Sequence, residues 1–561
     1  MKIGVRLLYS KAENVARDPA LYWDLLRTTR GTEDPPRLFA IINNAVLFRG
    51  VADPDVHREL EAEFASDHLR DVLREHRKKF DFVLLFNRPA HLLNLKLLLG
   101  VERPPDGENP FTRFGDLTLH ANDYIESPEE MWEGDPGLLG ILAEWAPIWE
   151  LLNPRHMFQL FVRSYLVITE QVPKHPGIID LFGQQFGTAP SDVSIDGLRM
   201  DDYLALVFGL FTAVRDGVLK QRTCIIDIRQ FFENTILPHA GIQEFFDRRS
   251  GVVATFAAEL NLGLGDAGSF KAYVEDGARA MDITVIKQRP ILRLQDGRCA
   301  ILDARFLIEL LSTTLYWTLF DRLDKKGRDL FSIFWGECFE RFVVRELEFF
   351  FRGTTILRTA IGIRDGEIDA IFDYGEFVIL IEIKSGLMAK DPRLMRDPQK
   401  LRDEIHKKFV DKKGVPQLVK GAKAIVVGEV DGISKDCRIY PILVVDEPVL
   451  QCLAANRYVD EQFAAQFDGR PPNVQPLTVM IVDELEELLP YVVAGDIGWE
   501  EFLSMRFEED GVTPDPVHTT LAAIAGKKGI RSRRNDYLST EGKRIGKLIL
   551  DRYRFGKTEN P

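Results

Sequence analysis

Three residues in the C-terminal half of the chain have the types and spacing of a hydrolytic centre: Asp369, Glu382 and Lys384. The segment EFVILIEIKSG (376–386) reads as an apolar strand. Residues i and i+2 of a strand project to one face, so Glu382 and Lys384 point together while Ile383 points into the core. Asp369 lies in GEIDAIFDY (366–374), which reads as a second strand. Pairing the two as a hairpin through Tyr374 and Gly375 brings the carboxylates of Asp369 and Glu382 onto the same face. Two carboxylates with a backbone carbonyl and waters suit a hard divalent ion such as Mg²⁺, with Mn²⁺ as a substitute. Such an ion stabilises charge on phosphoryl oxygens and acidifies a bound water, and a neighbouring ammonium orients that water or offsets developing negative charge. The chemistry expected of this set is phosphodiester hydrolysis.

The acid-x-lysine tripeptide alone carries little weight. It recurs at Asp324-Lys325-Lys326, Asp411-Lys412-Lys413 and Glu541-Gly542-Lys543, none of which ends an apolar strand. The order of elements around Glu382 is more specific. A helix (FSIFWGECFERFVVRELEFFF, 331–351) precedes the strands TTILRTA, GEIDAIFDY and EFVILIEIKSG. After them come a charged helical stretch (398–413), a short helix (VPQLVKGA) and two further strands (AIVVGE and IYPILVVD).

Over about residues 328–450 this arrangement resembles the PD-(D/E)XK, or restriction-endonuclease-like, nuclease superfamily. The resemblance implies a central mixed sheet flanked by helices. It implies Asp369 and Glu382 as metal ligands together with the Ile383 backbone carbonyl, Lys384 as the catalytic lysine, and Glu340 of the leading helix joining the metal site. Gln417 or Lys420 of VPQLVKGA takes the place of the assisting residue of the following helix. Two departures stand out: Ile368 occupies the position of the motif's proline, and Gly421 that of the tyrosine of exonuclease-like members. The implied activity is that of a metal-dependent endonuclease acting on DNA, in the setting of bacterial restriction or phage defence. A nuclease fold that binds nucleic acid or protein without cleaving, and a nuclease acting on RNA, remain open beside it, since no base-reading motif separates the substrates.

Glu367 shares the face of Asp369 and reads as an exposed glutamate before it reads as a ligand; His406 reads as a solvated helix residue. Between Lys384 and Lys423 twelve Lys and Arg stand against five Asp and Glu. Beside a carboxylate site this segment would attract a phosphate backbone. The stretch 526–557 is also basic, with Tyr537, Tyr553 and Phe555 interleaved, and fits a nucleic-acid arm, a docking helix or a solvated tail equally. Gly263-Leu264-Gly265-Asp266-Ala267-Gly268 matches G-x-G-x-x-G literally, but a helical segment precedes it where a dinucleotide site requires a strand, so a loop between helices is expected.

At 561 residues and 64.0 kDa the chain calls for a multidomain α/β organisation. Residues 1–130 read as mixed α/β or helical, 131–325 as mainly helical with a β-hairpin at RPILRLQDGRCAILD (289–303), 326–495 as the nuclease-like domain and 496–561 as a basic tail. The α-rich N-terminal region carries no assignable chemistry and is the candidate surface for a regulatory partner or a second copy, because two nicks from one site per chain favour a dimer. A net charge of −14 excludes a protein that coats nucleic acid with its whole surface. Five scattered cysteines without a CxxC pair argue against zinc sites and disulfides and for buried thiols. No run reaches the roughly 18 to 20 apolar residues of a membrane span, so the expectation is a cytoplasmic protein without membrane contact.

Overall fold

The computed structural model describes residues 4–6, 17–29, 31–50, 53–78, 82–102, 111–125, 157–364, 366–388, 398–411, 413–451, 453–467, 469–506 and 517–555. The N-terminal portion is built from helices around α1 (Asp34–Arg49) and α2 (Arg88–Gly100). The apolar run Phe39–Phe48 lies in α1, and Phe82–Leu84 form a three-residue strand paired in parallel with Gly4–Arg6. Helix α2 is buried on every side, so its polar residues turn inward. Arg88 Nε donates to Asp303 Oδ2 at 2.8 Å, and Asn43 Nδ2 donates to the same oxygen at 2.9 Å. These bonds tie both helices to the segment 289–303.

The helical layer continues through α3 (Met157–Leu166), α4 (Pro176–Phe186) and α5 (Met200–Gln221). Residues 126–156, which include the start of the region expected to be mainly helical, lie outside the described residues. The expected hairpin forms from β1 (Ile291–Arg293) and β2 (Cys299–Ile301), turning through Gly297 at φ +85°. It belongs to a four-stranded sheet with Ile225–Ile226 and Ser250–Gly251. The helical stretch that follows comes in two pieces, Ala304–Glu309 and Thr313–Asp321, parted where Ser312 adopts φ −116°, ψ −105°. Ser312, Thr313 and Thr314 compete for local backbone hydrogen bonds and weaken the helix there.

The long helix α6 (Lys325–Phe350) starts at an N-cap where Asp324 accepts the Gly327 N–H at 2.7 Å, so the charged DKKGRD is its first turn. Strands β3 (Leu357–Ile363), β4 (Gly366–Asp373) and β5 (Phe377–Lys384) form an antiparallel meander. A charged helix α7 (Pro398–Ile405), continued by a π-helical turn (His406–Asp411), and α8 (Val415–Val426) then cross to β6 (Arg438–Val445), parallel to β5. Helix α9 (Leu453–Ala465) leads to β7 (Thr478–Ile481), parallel to β6. The result is a five-stranded mixed sheet in the order β7-β6-β5-β4-β3. The expected strand AIVVGE instead begins as the last turn of α8 and continues into a turn from Val427. Leu418, Val419, Ala422 and Ile425 are buried at helical spacing, and a short apolar run alone does not separate a strand from a buried helix end.

Both faces of the sheet are covered. Ala370, Phe372, Ile379, Ile381, Ile383, Ile442 and Val444 join the core shared with α6 and the N-terminal helices. Ile371, Val378, Leu380, Leu443 and Val445 form a second core with α8 and α9. One core therefore runs across the expected boundary near 326. It also takes in the C-terminal segment. Helix α10 (Val482–Val493) carries Asp483 and Glu486, which receive Arg163 of α3 at 2.9 and 2.6 Å. Helix α11 (Asp536–Tyr553) buries Tyr537, Leu538, Ile545, Ile549 and Tyr553, and its N-cap Asn535 donates to Glu346 of α6 at 2.7 Å. The expected tail is thus a docked helix, and several of its cations are paired within the chain: Lys528 with Glu501, Arg533 with Asp496, Arg544 with Glu170. Cys224, Cys299, Cys338 and Cys437 are buried free thiols. Among the described residues no helix is long and apolar enough to cross a membrane.

Gly421 of α8 lies where a Cβ would stand 3.2 Å from Ile368 Cγ1 and 3.3 Å from Leu380 Cδ1. The close approach of α8 to the strands that carry the carboxylates depends on this missing side chain. Gly421→Ala should be near neutral, because a gain of about 1 kcal/mol in helix propensity offsets the tight contact. Gly421→Val should cost about 1–3 kcal/mol through overpacking, read as a lowered urea midpoint of the full chain.

Candidate active site

The ladder between β4 and β5 ends at the pair Ala370 and Ile381. Beyond it the Asp369 side chain takes over the role of the main chain, its Oδ2 accepting the Ile383 N–H at 2.7 Å. On the other side of β4 the ladder pairs Ile368 with Ile361 and Ala370 with Thr359 but omits Asp369 and Ala360. Ala360 has φ +51°, in the left-handed region that costs a non-glycine residue roughly 1–2 kcal/mol. Ile368 and Ala370 consequently contribute to opposite cores although they are two residues apart. The pleat is interrupted at the residue that carries the first carboxylate.

Glu382 and Lys384 project together, as their spacing requires. The Lys384 ammonium abuts Glu382 Oε1 as an ion pair, lies 3.6 Å from Asp369 Oδ2 and donates to the Ile383 carbonyl at 2.9 Å. Glu382 Oε1 is buried and has this ammonium as its charge partner. Asp369 and Glu382 are 7% and 2% exposed. Burial, reinforced by the Asp369 charge and opposed by Lys384, pushes the Glu382 carboxyl up to about 8. Burial raises Asp369 as well, against the pull of Lys384 and the Ile383 amide. Glu340, on α6, is pushed up to about 7 by burial and by Asp369. Burial works against the Lys384 cation, yet the charges of Glu382 and Asp369 outweigh it and hold its pKa above the ordinary lysine value. Three carboxylates thus share one ammonium.

The site opens into a cavity of about 550 Å³. One wall is α6, with Gly336, Glu337 and Glu340. The opposite wall carries Lys408, Lys413, Gln417 and Lys420, with Lys384 between the two. Gln417 is brought to the site as expected, with its Oε1 accepting the Gly414 N–H at 3.2 Å. Glu367 lines the cavity as an exposed residue. His406 does not line it: its Nδ1 bonds the Tyr458 hydroxyl at 3.0 Å in a separate open recess. The π-helical turn after His406 directs Lys408 to the cavity and packs Phe409 over Gly386, where φ is +41° and a Cβ would stand 2.2 Å from the ring. In the Gly263–Gly268 segment a helix, Val253–Leu260, precedes the loop and another begins at Ala267, which is the expected interhelical loop.

Two features were missed by sequence reasoning. The left-handed Ala360 has no sequence signal. Glu337 stands one turn before Glu340 in the quoted helix, but its partner His175 is 162 residues earlier, with Nε2 at 2.6 Å from Glu337 Oε2. Among the described residues no three His, Cys, Asp or Glu side chains stand close enough to hold a metal ion by themselves. In comparisons with known proteins, no family model, no curated protein and no solved structure matches this chain.

The raised Glu382 pKa has a definite consequence for stability. Between about pH 4.5 and 8 the folded chain holds a proton at this carboxyl that the unfolded chain has released, so stability falls as pH rises through that window. In EDTA, thermal unfolding of the wild type should shift downward from pH 5 to 8. Glu382→Gln should flatten that slope; an unchanged slope would mean that the carboxyl titrates normally.

Proposed function

We propose that this protein is a metal-dependent phosphodiesterase, an endonuclease acting on nucleic acid with DNA as the favoured substrate. The supporting observation is the convergence of Asp369, Glu382 and Lys384 at the parting of β4 and β5, beneath a cavity whose far wall is lined with lysines. The antiparallel meander joined to parallel strands, with α6 leading and α8 following, agrees with a restriction-endonuclease-like domain.

A divalent cation fits the donor set. The carboxylates outnumber the ammonium in a buried place, and Mg²⁺ typically takes one or two protein carboxylates and keeps several waters. Asp369, Glu382 and the Ile383 carbonyl would hold it, with Glu340 at the margin. When bound, the ion supplies charge stabilisation at the phosphoryl oxygens and a more acidic water.

The chain's own residues do the rest. The bond from the Ile383 amide fixes the Asp369 carboxylate, and the strand spacing holds Glu382 and Lys384 side by side. Lys384 places a positive charge where negative charge builds during phosphoryl transfer. Lys408, Lys413 and Lys420 draw the phosphate backbone onto the far wall, an attraction that weakens with salt. This reading assigns the net acidity of the chain to surfaces away from the substrate.

The test is incubation of the full chain with plasmid, linear duplex, single-stranded DNA and RNA, with Mg²⁺, Mn²⁺ or EDTA. Cleavage should require the metal and fall by at least about 10²-fold in Asp369→Ala and in Lys384→Ala. Cleavage that survives in both variants, or none by the wild type on any substrate, sinks the reading.

A further inference from the structure

Glu337 occupies the α6 wall of the cavity with a histidine behind it, and nothing derived so far gives that pair a role. His175 is buried, 4% exposed, at the start of α4. Its Nδ1 accepts the Ile178 N–H at 3.3 Å as the helix cap, which leaves the ring proton on Nε2. Nε2 therefore donates to Glu337 Oε2 at 2.6 Å. The ring is packed at 4.9 Å from Phe334, and Gly177 approaches the same Phe334 so closely that a Cβ would stand 2.5 Å from it. Arg341 lies 4.0 Å from the same Oε2. One carboxylate oxygen is thus held by the helical layer, and the other is left to the cavity. The side chain of Glu337 is 46% exposed, unlike those of Asp369 and Glu382.

We propose that Glu337 accepts the proton of the attacking water in the reaction proposed above, and that His175 is its positioning residue. The inference rests on that reading. The lysines 408, 413 and 420 hold the phosphate oxygens to the far wall, so the open approach to phosphorus is from the α6 side, where Glu337 stands. Asp369 and Glu382 are buried against Lys384 and one another and are already assigned to the cation, which leaves the proton to a more exposed carboxylate of the cavity wall. A base needs access to the proton it takes and an orienting partner behind it, and Glu337 has both. In the step, the water oxygen forms the new bond to phosphorus while its proton passes to Glu337 Oε1. The bond from phosphorus to the leaving oxygen breaks with its electron pair, and that oxygen takes a proton from solvent. Glu337 then returns its proton to solvent, and atoms and charge balance.

The experiment compares the wild type, Glu337→Gln, His175→Gln and His175→Ala as full chains. It measures kcat, KM and the pH–rate profile on a substrate the wild type cleaves, with Mn²⁺ binding measured separately by calorimetry. Glu337→Gln keeps an acceptor for His175 but cannot take a proton. It should lower kcat by about 10²-fold or more at unchanged KM, change the shape of the acid limb of the profile and leave Mn²⁺ affinity within about twofold. His175→Gln retains a donor and should keep more activity than His175→Ala. Should the alanine variant fail to fold, the kcat of the glutamine variants decides alone. Full activity in Glu337→Gln overturns the proposal and leaves the nuclease reading standing. Loss of Mn²⁺ binding in Glu337→Gln also overturns it, by making Glu337 a cation ligand. A wild type that cleaves nothing removes both.

Discussion

The charge imbalance at the end of β5 is the constraint around which the five-stranded sheet and its helices are arranged. Asp369, Glu382 and Glu340 face one ammonium, that of Lys384, in a place where water is largely excluded. Uncompensated charge buried in this way costs several kcal/mol per ion even after relaxation. A folded chain can meet that cost by holding protons on the carboxyls, which is the direction in which all three pKa values move. It can also meet it by taking up a cation. The same arrangement that destabilises the ionised state would favour any cation that binds only the folded site. A well-satisfied ion pair at this position would be more stable and would have no such appetite.

Holding like charges together demands a frame that cannot relax, and the two cores supply it. The alternating residues of β4, β5 and β6 lock into helices on both faces, and a close-packed interior resists the small shifts that would let the carboxylates separate. Helix α6 is the shared member. Its faces meet the sheet, α4, α10 and α11, and Glu346 on the same helix receives the Asn535 cap of α11. Near it the buried Arg163 binds Asp483 and Glu486, so the N-terminal layer and the C-terminal helices converge on the helix that carries Glu337 and Glu340.

The central motif was legible because its geometry is local. Glu382 and Lys384 needed only the i, i+2 rule, and Asp369 needed one hairpin. The meander, the leading helix and the following helix also came from patterns within a few tens of residues. What was not legible depended on distant or non-local causes. AIVV is helical because Gly421 allows α8 to lie flat on Ile368 and Leu380, a contact absent from the run itself. Ala360 is left-handed because the strand opposite is interrupted at Asp369. The basic C-terminal segment was ambiguous because its composition reports charge, while its burial depends on Tyr537, Ile545 and Ile549 finding a surface made 200 to 400 residues earlier. Ile368 and Gly421, apart in sequence, turn out to share one contact: the helix rests on the strand where Gly421 has no side chain.

The shared core also bears on how the region before 325 relates to the site. A recognition domain on a linker would leave the sheet's inner face closed by its own helices, and inter-domain contacts would be modest and polar. Here one core joins that face to segments distant in sequence, with Phe331 of α6 against Phe182 of α4 and Phe342 of α6 against Tyr537 of α11. A displacement of α4 would be felt at Phe334 and through His175 at Glu337, with no intervening flexible joint. The distance between the helical layer and the cavity is one hydrogen bond. Any ligand that prefers one placement of α4 must then, by linkage, prefer one placement of the Glu337 carboxylate, and occupancy of the cavity must act back on α4 to the same extent.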